Sequence, residues 1–172
     1  RSTLAERLRD DYGIDISEDG KVLAVGAFNH EGAGGGRDRG AAYVFEMNAT
    51  GDGYDLQGRI RPATINGNTN DIEFGRNLTL NEDGSVLAVG RWLDDGPGGN
   101  DVVNGGSVFI YDVSQLAGPT SSDKWDTFLT ANGTSQNGIA NSVNDDGILI
   151  YGEAADDRFG RSLSLSGNTL VV

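Results

Sequence analysis

The clearest hydrophobic pattern in the chain runs from Leu78 to Gly90. Leu78 and Leu80 alternate with polar residues, the period of a half-buried strand. Val86-Leu87-Ala88-Val89 is then an unbroken apolar run, short enough for a strand covered on both faces. Between them, Asn81-Glu82-Asp83-Gly84 has the chemistry of a tight turn, with Gly84 able to take a positive φ. The pattern predicts a hairpin over 74–90, opened by Phe74-Gly75.

The same pattern occurs elsewhere. Ile14-Asp15-Ile16-Ser17-Glu18-Asp19-Gly20-Lys21-Val22-Leu23-Ala24-Val25-Gly26 overlays it without a gap, 64 residues earlier. Phe159-Gly160-Arg161-Ser162-Leu163-Ser164-Leu165-Ser166-Gly167-Asn168-Thr169-Leu170-Val171-Val172 is a later copy with a shorter turn. A second element also recurs. Gly40-Ala41-Ala42-Tyr43-Val44-Phe45-Glu46 pairs with Gly106-Ser107-Val108-Phe109-Ile110-Tyr111-Asp112, 66 residues on. Both are aromatic and β-branched, as strands are. Two elements at nearly one offset define a tandem repeat of roughly 65 residues.

The repeat divides the chain. Residues 1–11 are charged and are read as the end of a preceding unit or a lead-in. Residues 12–61 form a first unit whose fourth strand is placed at 54–60. Residues 62–131 form a second, with 74–90 as its hairpin and 125–129 as a candidate fourth strand. Residues 132–147 are a polar insertion, or its last residues open a degenerate copy of the hairpin. Residues 148–172 close the second unit and begin a third, which stops inside a strand. Together with a start at Arg1-Ser2-Thr3 and not Met, that end reads as a piece of a longer polypeptide.

Composition narrows the class. With 27 glycines, 3 prolines and short strands between Gly, Asn and Asp clusters, the chain is expected to be all-β. Its net charge of −13 argues against nucleic acid and against an anionic membrane surface. No cysteine is present, so there is neither a disulfide framework nor a thiolate site. No apolar run has the length of a membrane span.

Four strands in a unit of this length suggest the blades of a β-propeller. Phe-Gly, a polar–apolar alternation, Asp-Gly, Leu-Ala-Val-Gly-Ala and then Gly-x-x-Tyr-Val-Phe resemble the FG-GAP repeat, the blade of the integrin α-subunit propeller. Tyr151-Gly152-Glu153-Ala154-Ala155-Asp156-Asp157-Arg158-Phe159-Gly160-Arg161-Ser162 is similar to the version common in secreted proteins of bacteria and unicellular eukaryotes. The resemblance covers most of the chain, about two and a half blades, where a closed propeller has about four to eight. It departs from the family at Gly26-Ala27-Phe28 and Gly90-Arg91-Trp92, where Gly-Ala-Pro is frequent. Integrin-type blades often carry a calcium loop in the hairpin. The residues here that fall on it are Asp15, Ser17 and Asp19, with Leu23 in place of the ninth-position acid; a solvated β-turn is the competing reading.

Other residues invite chemistry and are weighed against plainer roles. His30, the single histidine, has no partner set for a metal or a triad and is read as a loop residue. Asp94-Asp95 and Asp156-Asp157 are read as solvated loop acids, because adjacent side chains point apart. Trp92, Trp125, Tyr43, Phe109 and Tyr111 could line a sugar surface, but their strand spacing favours packing between sheets. Gly34-Gly35-Gly36 lacks the Lys-Ser/Thr of a phosphate loop. Asn48, Asn77 and Asn132 head Asn-x-Thr sequons, candidate glycosylation sites in a eukaryotic secretory protein.

The resemblance implies a non-enzymatic extracellular or cell-surface segment for adhesion or for binding protein or glycan ligands. The loops expected to do so, 29–39 and 94–105, follow the second strand of each unit. The alternative is a structural glycoprotein subunit of a filament or matrix, pairing with identical or neighbouring chains through open sheet edges. No cofactor beyond calcium is expected.

Overall fold

The computed structural model describes residues 13–29, 40–60, 73–96, 103–113, 135–136, 139–140 and 147–172. Among them the regular elements are all strands, and the all-β class expected from the sequence is what forms. The first sheet contains β1 (Ile14–Ile16), β2 (Val22–Gly26), β3 (Ala42–Met47) and β4 (Tyr54–Ile60), paired antiparallel in chain order. The second begins in the same way with β5 (Leu78–Leu80), β6 (Val86–Arg91) and β7 (Ser107–Asp112). It continues through β8 (Ser135–Gln136), β9 (Ile139–Ala140) and β10 (Gly147–Tyr151), giving the order β5-β6-β7-β10-β9-β8. A third hairpin joins β11 (Ser164–Ser166) to β12 (Thr169–Val171).

The turns form as their chemistry dictates. In the first hairpin Ser17 Oγ accepts from Val22 N at 2.9 Å, and in the second Asn81 Oδ1 accepts from Val86 N at 2.9 Å. Each side chain replaces a backbone acceptor and closes the hairpin. Gly20 and Gly84 follow at φ of 72° and 73°, a conformation that costs a Cβ-bearing residue about 1–2 kcal/mol.

The second unit differs from its expected plan. The place beside β7 belongs to β10, in register from Gly147↔Tyr111 to Tyr151↔Ser107, and the candidate fourth strand 125–129 lies outside the described residues. The stretch read as a polar insertion supplies β8 and β9. Strand pairing is a backbone interaction, so a polar segment can add to the edge that β10 offers. Also outside the described residues are 1–11, His30, Gly34-Gly35-Gly36, Trp125 and Asn132.

The Phe-Gly pairs mark where one sheet meets the next. Phe74 forms a parallel bridge with Gly40 of the first sheet, and Phe159 forms the same bridge with Gly106 of the second. The backbones touch here. A Cβ on Gly26 would sit 1.7 Å from the Gly75 carbonyl oxygen, and one on Gly90 would sit 2.1 Å from that of Gly160. Glycine closes the shared Val-Leu-Ala-Val-Gly run, at Gly26 and Gly90, because nothing larger fits beneath the neighbouring chain. Phe74 is itself buried, edge-on to Phe109 with ring centroids 5.5 Å apart.

The hairpin turns form a second line of contacts. Glu18 N donates to Glu82 O at 2.8 Å, and Asp15 Oδ2 accepts from Leu80 N at 2.7 Å and Thr79 Oγ1 at 3.0 Å. Glu82 in turn accepts from Ser166 Oγ and Gly167 N of the third hairpin, at 2.6 and 2.7 Å. Those bonds, Ser166 first, hold its carboxyl below the usual glutamate range.

The apolar core lies mainly between the first and second sheets. It includes Val22, Ala24, Val44, Phe74, Leu78, Leu80, Leu87, Val89 and Phe109. β2 and β6 share the pentapeptide Val-Leu-Ala-Val-Gly, yet Leu23 and Val25 are half-buried where Leu87 and Val89 are fully buried. Likewise Ile14 and Ile16 are 58% and 50% exposed, whereas their counterparts Leu78 and Leu80 are 8% and 5% exposed. The second sheet is covered by the first. Among the described residues nothing covers the equivalent face of the first sheet.

Candidate functional site

β2 and β6 both finish at the end of the sheets opposite the hairpin turns, and an aromatic residue follows each: Phe28 and Trp92. Arg76, directly after the first Phe-Gly, places its guanidinium 5.3 Å from the Phe28 ring centroid and 5.3 Å from that of Trp92. Arg161, directly after the second Phe-Gly, stands 5.4 Å from Trp92, and Arg158 stands 5.5 Å from the same ring. The result is a row that crosses from unit to unit: Phe28, Arg76, Trp92, Arg161. Guanidinium and ring attract through the ring quadrupole, by about 0.5–1 kcal/mol per exposed pair.

Trp92 is anchored at its polar edge. Its Nε1 donates to Glu73 Oε2 at 2.8 Å, and the same carboxylate oxygen pairs with Arg76 Nη1. Trp92, Arg76 and Glu73 are each partly buried, whereas Arg158 and Arg161 are exposed.

Backbone strain gathers here too. Among the described residues, the non-glycine positions at positive φ are Glu73 (47°), Asn104 (52°), Asp156 (64°) and Arg158 (55°). Glu73 and Arg158 are equivalent, each directly before a Phe-Gly, and each reaches Trp92. Asn104 and Asp156 are joined by an amide–carboxylate bond of 3.2 Å, and Arg158 N donates to Asn104 O at 3.1 Å. Asn and Asp tolerate this conformation; Glu and Arg hold it at a cost of about 1–3 kcal/mol, which a site can use to preorganise side chains.

Next to Trp92 in the chain is a buried charge pair. Arg91 is 1% exposed and Asp94 2%, with Nη1 3.3 Å from Oδ2. Ser107 Oγ donates to the same Asp94 oxygen at 2.5 Å. Burial pushes the Asp94 carboxyl up against the opposing pull of Arg91 and Ser107. Burial likewise raises the phenols of Tyr111 and Tyr151. In the first unit the positions of Arg91 and Ser107 hold Ala27 and Ala41, both buried.

The sequence candidates fall as follows. Ser17 and Asp19 meet, Oγ donating to Oδ1 at 2.8 Å, but Asp15 turns away to Thr79 and Leu80. Lys21 places its ammonium 2.7 Å from Asp19 Oδ2, where a cation would stand, and with its amide and Ser17 lowers that carboxyl to about 2. These three residues therefore do not fit the donor set calcium needs. Among the described residues no group of three or more His, Cys, Asp or Glu could hold a metal ion.

Asn48 is tied into its own turn, Nδ2 to Asp52 at 2.9 Å and Oδ1 accepting from Thr50, Gly51 and Asp52. Asn77 lies directly ahead of β5. Asp94 and Asp95 part as expected, Asp95 accepting from Asn104 N at 2.9 Å, but Asp94 is buried and not a solvated loop acid. A carboxylate can be buried there because Arg91 and Ser107 answer it. Asp156 and Asp157 are exposed, Asp157 accepting from Ala154 N.

Phe109 and Tyr111 pack inside the second sheet, their rings stacked at 6.2 Å, while Trp92 joins the arginine row. The arginines were not singled out from the sequence. The available signal was the recurrence of an aromatic 64 residues apart, at Phe28 and Trp92, and of Arg after Phe-Gly at 76 and 161.

Among the described residues no helix is long and apolar enough to cross a membrane. Compared with known families and with characterised proteins, the chain matches no family model and no characterised relative.

Proposed function

We propose that the chain is a segment of an extracellular β-propeller of the FG-GAP kind, each sheet a blade, which binds protein or glycan ligands at one end of the blades and carries out no catalysis. The observation that carries this reading is the row Phe28, Arg76, Trp92, Arg161, which recurs with the repeat at the end where β2 and β6 terminate. The repeated Phe-Gly bridges support stacking of successive blades in one sense, as a propeller requires. Function at the loop-bearing end of a rigid scaffold is common, because loops vary while the scaffold holds them.

Panels of glycans and cell surfaces, probed with and without calcium, test the binding role. Attachment with no turnover on a hydrolase screen is expected. A chain that binds nothing on either panel, or that cleaves what it binds, overturns the reading.

The face of Ile14, Ile16, Leu23 and Val25, which no described residue covers, favours a second reading, a subunit of a filament or matrix in which another chain covers that face. Electron microscopy of native material separates the two: isolated closed rings support the propeller, and continuous fibres support the filament.

A further inference from the structure

We infer that Trp92, Arg158 and Arg161 form a site for an acidic polysaccharide, one carrying repeated carboxylate or sulfate groups. This rests on the ligand-binding reading above and names its ligand class. Three guanidiniums lie within 5.5 Å of one indole ring, in a chain whose net charge is −13. General basicity therefore does not explain the cluster. Arg76 is neutralised by Glu73, which also fixes the indole. Arg158 and Arg161 are exposed and form no ion pair with a described residue. Both guanidiniums stand by one indole without a described counter-charge, and guanidinium forks suit the paired oxygens of carboxylate and sulfate.

The two arginines are also held in place. Arg158 sits at a φ of 55° with its amide on Asn104 O, and Arg161 N donates to Arg158 O at 3.1 Å. Fixing them before binding reduces the ordering cost of capture.

The site lies at strand ends, away from an open sheet edge that could pair with an extended peptide. The aromatic–arginine contact recurs from one unit to the next, Phe28 with Arg76 and Trp92 with Arg161, which suits an extended ligand, while Arg158 stands where the preceding unit has Glu73. Two acids stand beside it. Asp156 is bonded to Asn104 and Asp157 to Ala154 N, so neither pairs with Arg158, but both oppose an incoming anion.

The test uses the 172-residue chain against immobilised heparin, alginate, neutral dextran and poly-glutamate. Binding to heparin or alginate but not dextran is expected, and it should fade by about 0.5 M salt as exposed charges are screened. The double variant Arg158→Ala/Arg161→Ala should bind about tenfold more weakly, the loss of charge-assisted contacts. Arg158→Ala alone, at an exposed position, checks that the loss is not unfolding, and its thermal midpoint should match the parent. Asp156→Asn keeps a residue that tolerates positive φ and should tighten binding.

Unchanged affinity in the double variant overturns the site, as does equal or tighter binding of poly-glutamate. A chain that ignores heparin and alginate yet binds other glycans or cells defeats this assignment alone. A chain that binds none of them defeats the ligand-binding reading as well.

Discussion

At the scale of single residues, the second unit carries the Arg91 guanidinium where the first carries Ala27. Arg91 and Asp94 are both buried, and each is the other's opposite charge at 3.3 Å. Asp94→Asn leaves the guanidinium without its counter-charge and is expected to cost about 3–5 kcal/mol, read from urea denaturation. Arg91→Met combined with Asp94→Leu should cost less than that single change, because a buried pair exchanged for apolar packing is often near neutral. A double variant less stable than Asp94→Asn would show the pair to be a net source of stability.

Glu82 makes the opposite kind of contact, at the surface. Its folded pKa lies below the ordinary 4.5, so its hold on the third hairpin is complete above that value and is lost as pH falls through the lower folded one. An NMR titration should place the Glu82 midpoint below 4.5, and Ser166→Ala should move it back towards that value. A midpoint unmoved by the substitution would remove Ser166 as the cause.

At the scale of elements, the hairpins and the Phe-Gly seams have different tolerances. Gly20 and Gly90 are both conserved within the repeat pattern of this chain, as Gly84 and Gly26, yet for different reasons. A Cβ at Gly20 meets nothing within 4 Å, and only its φ of 72° matters; a Cβ at Gly90 meets the Gly160 carbonyl. Gly20→Asn should therefore be nearly neutral, since Asn accepts that φ. Gly90→Ala should cost about 1–3 kcal/mol as the second sheet and third hairpin are forced apart. Thermal denaturation of the two variants decides the point, and equal midpoints would refute the seam.

Asp15 joins elements in the same way. Asp15→Ala strips Leu80 N of its acceptor inside the interface and should cost about 1–3 kcal/mol. The hairpins, their turn residues and the strand following each were legible in the sequence, because period-2 alternation and turn chemistry are local. The pairing of β10 with β7 was not, since its sequence separation is set by a long connection and an apolar run does not name its neighbour.

At the scale of the molecule, one sequence pattern meets two environments. Ile14 and Ile16 are exposed where Leu78 and Leu80 are not, because the second sheet has the first against it. A ring of such units predicts that Ile16→Cys reacts with a thiol reagent rapidly in this chain and slowly once a neighbouring unit covers β1. Equal rates in the two would count against face-to-face stacking.

By itself, then, the sequence determined the strand class, the repeat and the hairpin turns, all of which depend on residues a few positions apart. Only the tertiary structure decided which faces are buried and that Arg76, Arg158 and Arg161 share one indole with Phe28 close by. Those side chains come from separate units, and their meeting depends on how one sheet seats on the next through a glycine-lined seam. Burial belongs to a residue's neighbours, and identical peptides acquire different surfaces when their neighbours differ.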